Sequence, residues 1–135
     1  MENYFLMEMT PAQLKGLNNL ALAHVGDGVY ELLWRTYLCS QGPSKVNNLH
    51  KHTIAMVNAP TQAKFADLIL PHLSEEEQDY YRRGKNAHTH AAPKAATRAE
   101  YAKATGLESL FGALYLLGRT DRLNQLFHLI ISEEM

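Results

Sequence analysis

LNNLALAHVGDGVYELLWRTYL, residues 17–38, reads as one long helix. Within it His24, Asp27, Glu31 and Arg35 recur at intervals of three, four and four, and residues so spaced share one helix face. Around that polar stripe lie Leu20, Leu22, Val25, Val29, Leu32, Leu33 and Trp34. The helix is therefore apolar over most of its circumference and central to its fold. A carboxylate in such surroundings needs a partner. Gly26 and Gly28 flank Asp27, and each glycine inside a helix costs about 0.5–1 kcal/mol relative to alanine. That cost is tolerated where another helix or a ligand must come close.

A second stretch, EYAKATGLESLFGALYLLG at residues 100–118, carries the broad apolar face Leu107, Leu110, Phe111, Leu114 and Leu117. After Glu100 its only acid is Glu108, set on a stripe of small and polar residues, Tyr101, Thr105, Gly112 and Tyr115. Losing the hydration of a glutamate costs several kcal/mol, so Glu108 should be protonated, paired with Arg or Lys, or bound to a metal. Two lone acids on two apolar helices suggest a shared cation, because a divalent ion relieves the repulsion between carboxylates a few ångströms apart. Mg²⁺ suits them as a hard ion that binds one or two carboxylates together with substrate phosphates. The alternative is a Glu108 salt-bridged to an arginine and an Asp27 that only hydrogen-bonds.

Working outward, the punctuation is helical. Thr10 with Gln13, Ser74 with Glu77 and Thr97 with Glu100 have the spacing of capping boxes, and Pro11 sits at a first helical position. Gln41-Gly42-Pro43 and Leu117-Gly118 mark helix ends. The expected helices cover about 11–16, 18–40, 45–57, 60–71, 75–84, 97–117 and 120–132, and no stretch alternates as a strand does. The expectation is an all-α fold in a single domain, residues 1–135, whose longest irregular segment, KNAHTHAAPKAAT at 85–97, is either a functional loop or a plain surface connection.

Composition agrees with one ordinary globular domain: 135 residues, 46% hydrophobic, with 5 prolines and 8 glycines. The single cysteine, Cys39, excludes an internal disulfide and a cysteine-built zinc site, which favours a reducing, cytoplasmic setting. No basic leader or apolar run of membrane-spanning length is present, so no membrane partner is expected. Net charge is −1, yet it is unevenly placed. Residues 32–66 hold four basic residues and no acid, while residues 65–81 hold five acids and no lysine or arginine. Residues 82–103 then carry Arg82, Arg83, Lys85, Lys94, Arg98 and Lys103 against Glu100 alone, a footing for a polyanion.

Other motifs carry less. His50-x-His52 and His88-x-His90 lack a third ligand and read as surface histidines. Glu75-Glu76-Glu77 is explained by the helix dipole, and Trp34 and the tyrosines follow helical core patterns rather than a base-stacking platform. No P-loop, GxGxxG, HExxH or GxSxG is present.

His24-Val25-Gly26-Asp27-Gly28-Val29-Tyr30-Glu31 resembles the signature helix of the ribonuclease III endonucleases, and Leu107-Glu108-Ser109-Leu110-Phe111-Gly112-Ala113-Leu114-Tyr115-Leu116 resembles their second acidic helix. Asn48-Leu49-His50-Lys51, Arg83-Gly84-Lys85-Asn86-Ala87 and Pro93-Lys94 are similar to the short branch, Mini-ribonuclease III, which lacks a double-stranded-RNA-binding domain. The resemblance implies an all-helical homodimer that cuts double-stranded RNA with Mg²⁺, and in that branch trims precursor 23S ribosomal RNA, leaving 5′-phosphate and 3′-hydroxyl ends. It implies Asp27 and Glu108 as metal ligands and catalytic acids, with Glu31 and Thr105 supporting them. Leu20, Ala23 and Thr105 stand where long ribonucleases III place further acids, so fewer carboxylates surround the metal. With no separate RNA-binding domain, Arg83, Lys85, Asn86 and Lys94 are the expected RNA contacts. A ribosomal protein is a candidate partner. The competing reading is a non-catalytic helical module that binds RNA or the ribosome, with both acids structural.

Overall fold

The computed structural model describes residues 1–87 and 96–134. Among them the secondary structure is helical throughout: α1 (Pro11–Lys15), α2 (Asn19–Ser40), α3 (Val46–Val57), α4 (Ala59–Ile69), α5 (Glu75–Lys85), α6 (Arg98–Leu116) and α7 (Thr120–Glu134). The all-α expectation holds, and the three capping boxes form as read, each side-chain oxygen accepting from the backbone N–H three residues on. Gly118 takes φ +74, and the N–H of Arg119 donates to Leu114 O, so α6 ends in a glycine cap.

Helix ends fall within two residues of the reading, and two of the differences have a structural cause. The helix expected to reach residue 71 leaves α-geometry at Ile69 and tightens into a 3-10 turn at Leu70–His72, where Pro71 has no N–H for the α-ladder. Gly84 does not end α5, which runs to Lys85. A Cβ at Gly84 would stand 2.5 Å from both Ser109 Cβ and Thr105 O. That glycine serves close packing on α6 instead of helix termination.

The apolar stripe of α6 places it at the centre, packed on α2, α5 and α4 and more lightly on α7. Leu107, Leu110, Phe111 and Leu114 are fully buried, and Tyr30, Trp34, Phe65, Leu126 and Ile130 close the core around them. Trp34 stacks on Phe65 and meets Phe127 edge-on, while the Tyr30 hydroxyl, pushed up beyond the ordinary phenol range chiefly by burial, donates to Met56 O at 2.6 Å. Tyr80 and Tyr81 are buried as well.

The acidic start of α5 is tied to α7 by one buried ion pair. Arg122 donates to Glu77 Oε2 from Nε at 2.7 Å and to Oε1 from Nη2 at 3.0 Å, and Nη2 also reaches His72 O at 2.7 Å. Burial opposes the charge on Glu77, but Arg122 and the Ser74 cap outweigh it and hold the carboxyl below its ordinary value. Arg122→Met should cost about 3 kcal/mol at neutral pH, since a charge is left buried without its counter-charge. The carboxyl pKa is lower folded than unfolded, so this stabilisation is complete above pH 4.5 and is lost on acidification. Urea melts should show the wild type and the variant converging as pH falls below that value; a constant gap would contradict the assignment.

Candidate active site

Asp27 and Glu108 are brought together by the closest helix crossing in their neighbourhood. A Cβ on Gly26 would lie 1.5 Å from Glu108 O and 2.8 Å from Gly112 N, and one on Gly112 would lie 2.0 Å from Leu22 O. Only glycine at both positions lets the backbones of α2 and α6 touch. The residue after Gly26 is Asp27, and its carboxyl hydrogen-bonds that of Glu108. The crossing thus resolves half of the glycine question: Gly26 admits a helix, whereas a Cβ on Gly28 would meet nothing within 4 Å.

Asp27 is exposed and Glu108 half-buried. Burial, then the charge of Asp27 and the hydrogen bond to it, push the Glu108 carboxyl up to about 8. No lysine or arginine among the described residues forms an ion pair with either acid, so the arginine-paired alternative for Glu108 is not what the fold builds. Two facing carboxylates with no protein cation, one of them open to solvent, are a donor set for a hard divalent ion. Without an ion the pair relieves its repulsion by keeping a proton. The residues therefore fit Mg²⁺ in chemical type, and they form no cluster of three or more metal-binding side chains among the described residues.

The remaining expected residues disperse. Glu31 pairs with Arg35 at 2.7 Å on the exposed stripe of α2. Thr105 is buried behind the site, and its hydroxyl donates to Tyr101 O one turn back. Lys85 and Asn86 are exposed at the end of α5, where Asn86 caps the helix through its backbone N–H. Arg83 is drawn into the fold instead of facing outward: Nε donates to Asn19 Oδ1, Nη1 to Leu14 O and Nη2 to Leu17 O, at 2.8–3.1 Å. Those bonds tie the end of α5 to the C-terminal end of α1 and the start of α2. Lys94, with His88 and His90, lies outside the described residues. His50 and His52 are exposed on α3.

Gln62 was not anticipated. It stands on α4 within a buried face shared with Ala63, Ala66 and Ile69, is 3% exposed, and is near enough to the Glu108 carboxyl to favour its charged form. The signal was a single amide interrupting an apolar stripe. By contrast, a roomy cavity of about 530 Å³ between α2 and α7, with Val29, Leu33, Tyr37, Leu123, Phe127 and Ile131 in its wall, is lined by no acid, lysine or arginine. It lacks Asp27, Gln62 and Glu108, and His128 is the one imidazole in its lining.

The family model described as "Ribonuclease III domain" matches residues 20–119, a span that contains both acidic helices. The chain belongs to the ribonuclease III family. It is an endoribonuclease of that family, and curated relatives share most of its length. A Mini-ribonuclease 3 of Symbiobacterium thermophilum is 47% identical over 78% of this chain and 82% of its own. The Mini-ribonuclease 3 of Clostridium tetani is 42% identical over 98% of this chain and 89% of its own. A crystal structure of a protein from Fusobacterium nucleatum superposes with a TM-score of 0.82 at 32% identity, over 91% of this chain and 98% of that one.

Proposed function

We propose that residues 1–135 form one catalytic domain that hydrolyses double-stranded RNA in a Mg²⁺-dependent reaction. Asp27 and Glu108 are its metal ligands and catalytic acids, and the products carry 5′-phosphate and 3′-hydroxyl ends. The observation that carries this reading is the pairing of those two carboxylates at a glycine-built crossing with no protein cation beside them. The substrate in this reading is precursor 23S ribosomal RNA, the working form is a homodimer and a ribosomal protein is a partner, as the resemblance of the motif residues to the short branch implies. The dimer has a surface to use: Leu20, Leu32, Val46 and Ile54 are 39–64% exposed on α2 and α3. The setting is the cytoplasm, consistent with the exposed free thiol of Cys39. No helix among the described residues is long and apolar enough to cross a membrane.

The chain's own groups divide the work. Asp27 reaches solvent from the rim and meets the incoming backbone, while Glu108 holds the inner side of the site in a low-dielectric setting that strengthens every charge interaction there. A bound Mg²⁺ supplies Lewis-acid stabilisation of charge on the phosphate oxygens and makes a water a stronger nucleophile at neutral pH. Water attacks phosphorus in line, the bond from phosphorus to the 3′-oxygen breaks, the attacking water loses a proton and the departing 3′-oxygen gains one. Lys85 and Asn86 hold backbone phosphates and 2′-hydroxyls, the features by which duplex RNA is recognised, and Lys94 extends that footing.

The test is cleavage of an end-labelled RNA duplex beside the same sequence single-stranded and as duplex DNA, with analysis of the product ends. Cutting confined to duplex RNA, dependent on Mg²⁺ and giving 5′-phosphate ends, is the expected outcome. Binding of a precursor-rRNA stem with no cutting in Mg²⁺ would make the chain a binding module. Lys85→Ala with Lys94→Ala should weaken duplex binding while leaving the fold intact, and should lower the slope of log affinity against log salt by roughly 1 for each phosphate no longer neutralised. An unchanged slope would remove both lysines from the footprint.

A further inference from the structure

One polar side chain beside the site is left without a use. Gln62 sits on the face of α4 that packs against α6, among Ala63, Phe65, Ala66 and Ile69, and is 3% exposed. Its Nε2 is buried and makes no hydrogen bond of normal geometry. A buried amide donor in that state is unfavourable, and an apolar side chain of the same shape would avoid the penalty. The group it approaches is the Glu108 carboxyl. A carboxylate that ligates a cation is a strong acceptor for an amide N–H, and Gln62 is the buried donor on α4 left with no other partner.

We propose that Gln62 is a positioning residue. Its amide N–H holds the ionised Glu108 carboxylate from the protein side and fixes the orientation in which Glu108 and Asp27 together receive a divalent cation. Partners behind metal ligands commonly set ligand orientation, and losing one lowers metal affinity about 10–100-fold. This inference rests on Asp27 and Glu108 being the ligands. It adds a third helix to the site: α4 contributes no ligand, yet it determines how the α6 ligand stands.

The measurement is Mn²⁺ binding to the purified full chain, by calorimetry and by the spin-resonance signal of the unbound ion. Wild type, Gln62→Met, Gln62→Leu and Glu108→Gln are compared, and each is also melted in chelator. Gln62→Met and Gln62→Leu should bind Mn²⁺ about 10-fold more weakly or worse, with melting temperatures in chelator equal to or above wild type, because an unpaired buried donor has been removed. A purely structural glutamine would give the reverse pattern. Affinity within twofold of wild type in both variants overturns the proposal, and so does weaker binding accompanied by a lower melting temperature in chelator. If Glu108→Gln binds Mn²⁺ as tightly as wild type, the ligand assignment itself fails and the role of Gln62 falls with it. That result is separable from the others because it does not involve Gln62.

Discussion

Asp27→Asn and Glu108→Gln should each leave a folded helical chain whose cleavage of duplex RNA is expected to fall by about 10³-fold or more, the kinetic equivalent of several kcal/mol of lost transition-state stabilisation. Both amides keep the shape of the side chain and its hydrogen-bonding reach, so α2 and α6 still cross at Gly26 and Gly112. What is lost is negative charge. In chelator, Glu108→Gln should be no less stable than wild type, because burial and Asp27 disfavour the Glu108 charge in the first place. Circular dichroism and thermal melts in chelator, read beside single-turnover cleavage, separate the two functional classes raised by the sequence. A variant that unfolds points to structural acids, and one that folds but does not cut points to chemical ones.

Gly26→Ala is the substitution with the largest expected effect on the fold. A Cβ there would lie 1.5 Å from Glu108 O, whereas real Cβ atoms do not come within 3.0 Å of a neighbour, and the obstacle is backbone that no side-chain rotation can move. The helices must part by about 1.5 Å, loosening the packing of the most buried faces of the chain. We expect a destabilisation above about 3 kcal/mol, at the top of the range for overpacking. Any folded remainder should cut poorly, since displacement of a reacting group by about 1 Å can cost 100-fold. Gly28→Ala is the control. Its Cβ meets nothing within 4 Å, so within the single chain it should gain the helix-propensity difference of about 0.5–1 kcal/mol. Urea denaturation of the two alanine variants should move in opposite directions, and equal losses at both sites would contradict the crossing geometry.

Much of this arrangement was readable along the chain because it is local. Thr10, Ser74 and Thr97 announce their helices through bonds made within four residues, and the stripes of α2 and α6 follow from helical period alone. Asp27 and Glu108 stood out as carboxylates set into stretches of helix otherwise committed to the core. What was not readable depends on which helix faces which. Gly26 could have served a ligand or a helix until α6 was seen against it. Gly84 carried no mark of its use in the close packing on Ser109. Arg83 lies in a basic run, yet its guanidinium is consumed by carbonyls at the end of α1, nearly seventy residues earlier. Gln62 showed only as one amide on an apolar face, and its meaning came from Glu108, on a different helix.

The central claim is that Asp27 and Glu108 act as one unit on a single cation, and a double-mutant cycle on cleavage tests it most directly. Rates of duplex RNA cleavage in Mg²⁺ are measured for wild type, Asp27→Asn, Glu108→Gln and the double variant, with every protein first shown to be folded. Residues that share one ion are strongly non-additive, so the account predicts a double variant no slower than the slower single one, and no cleavage by wild type in chelator. Losses that multiply in the double variant, or cutting that persists when Mg²⁺ is removed, would contradict it.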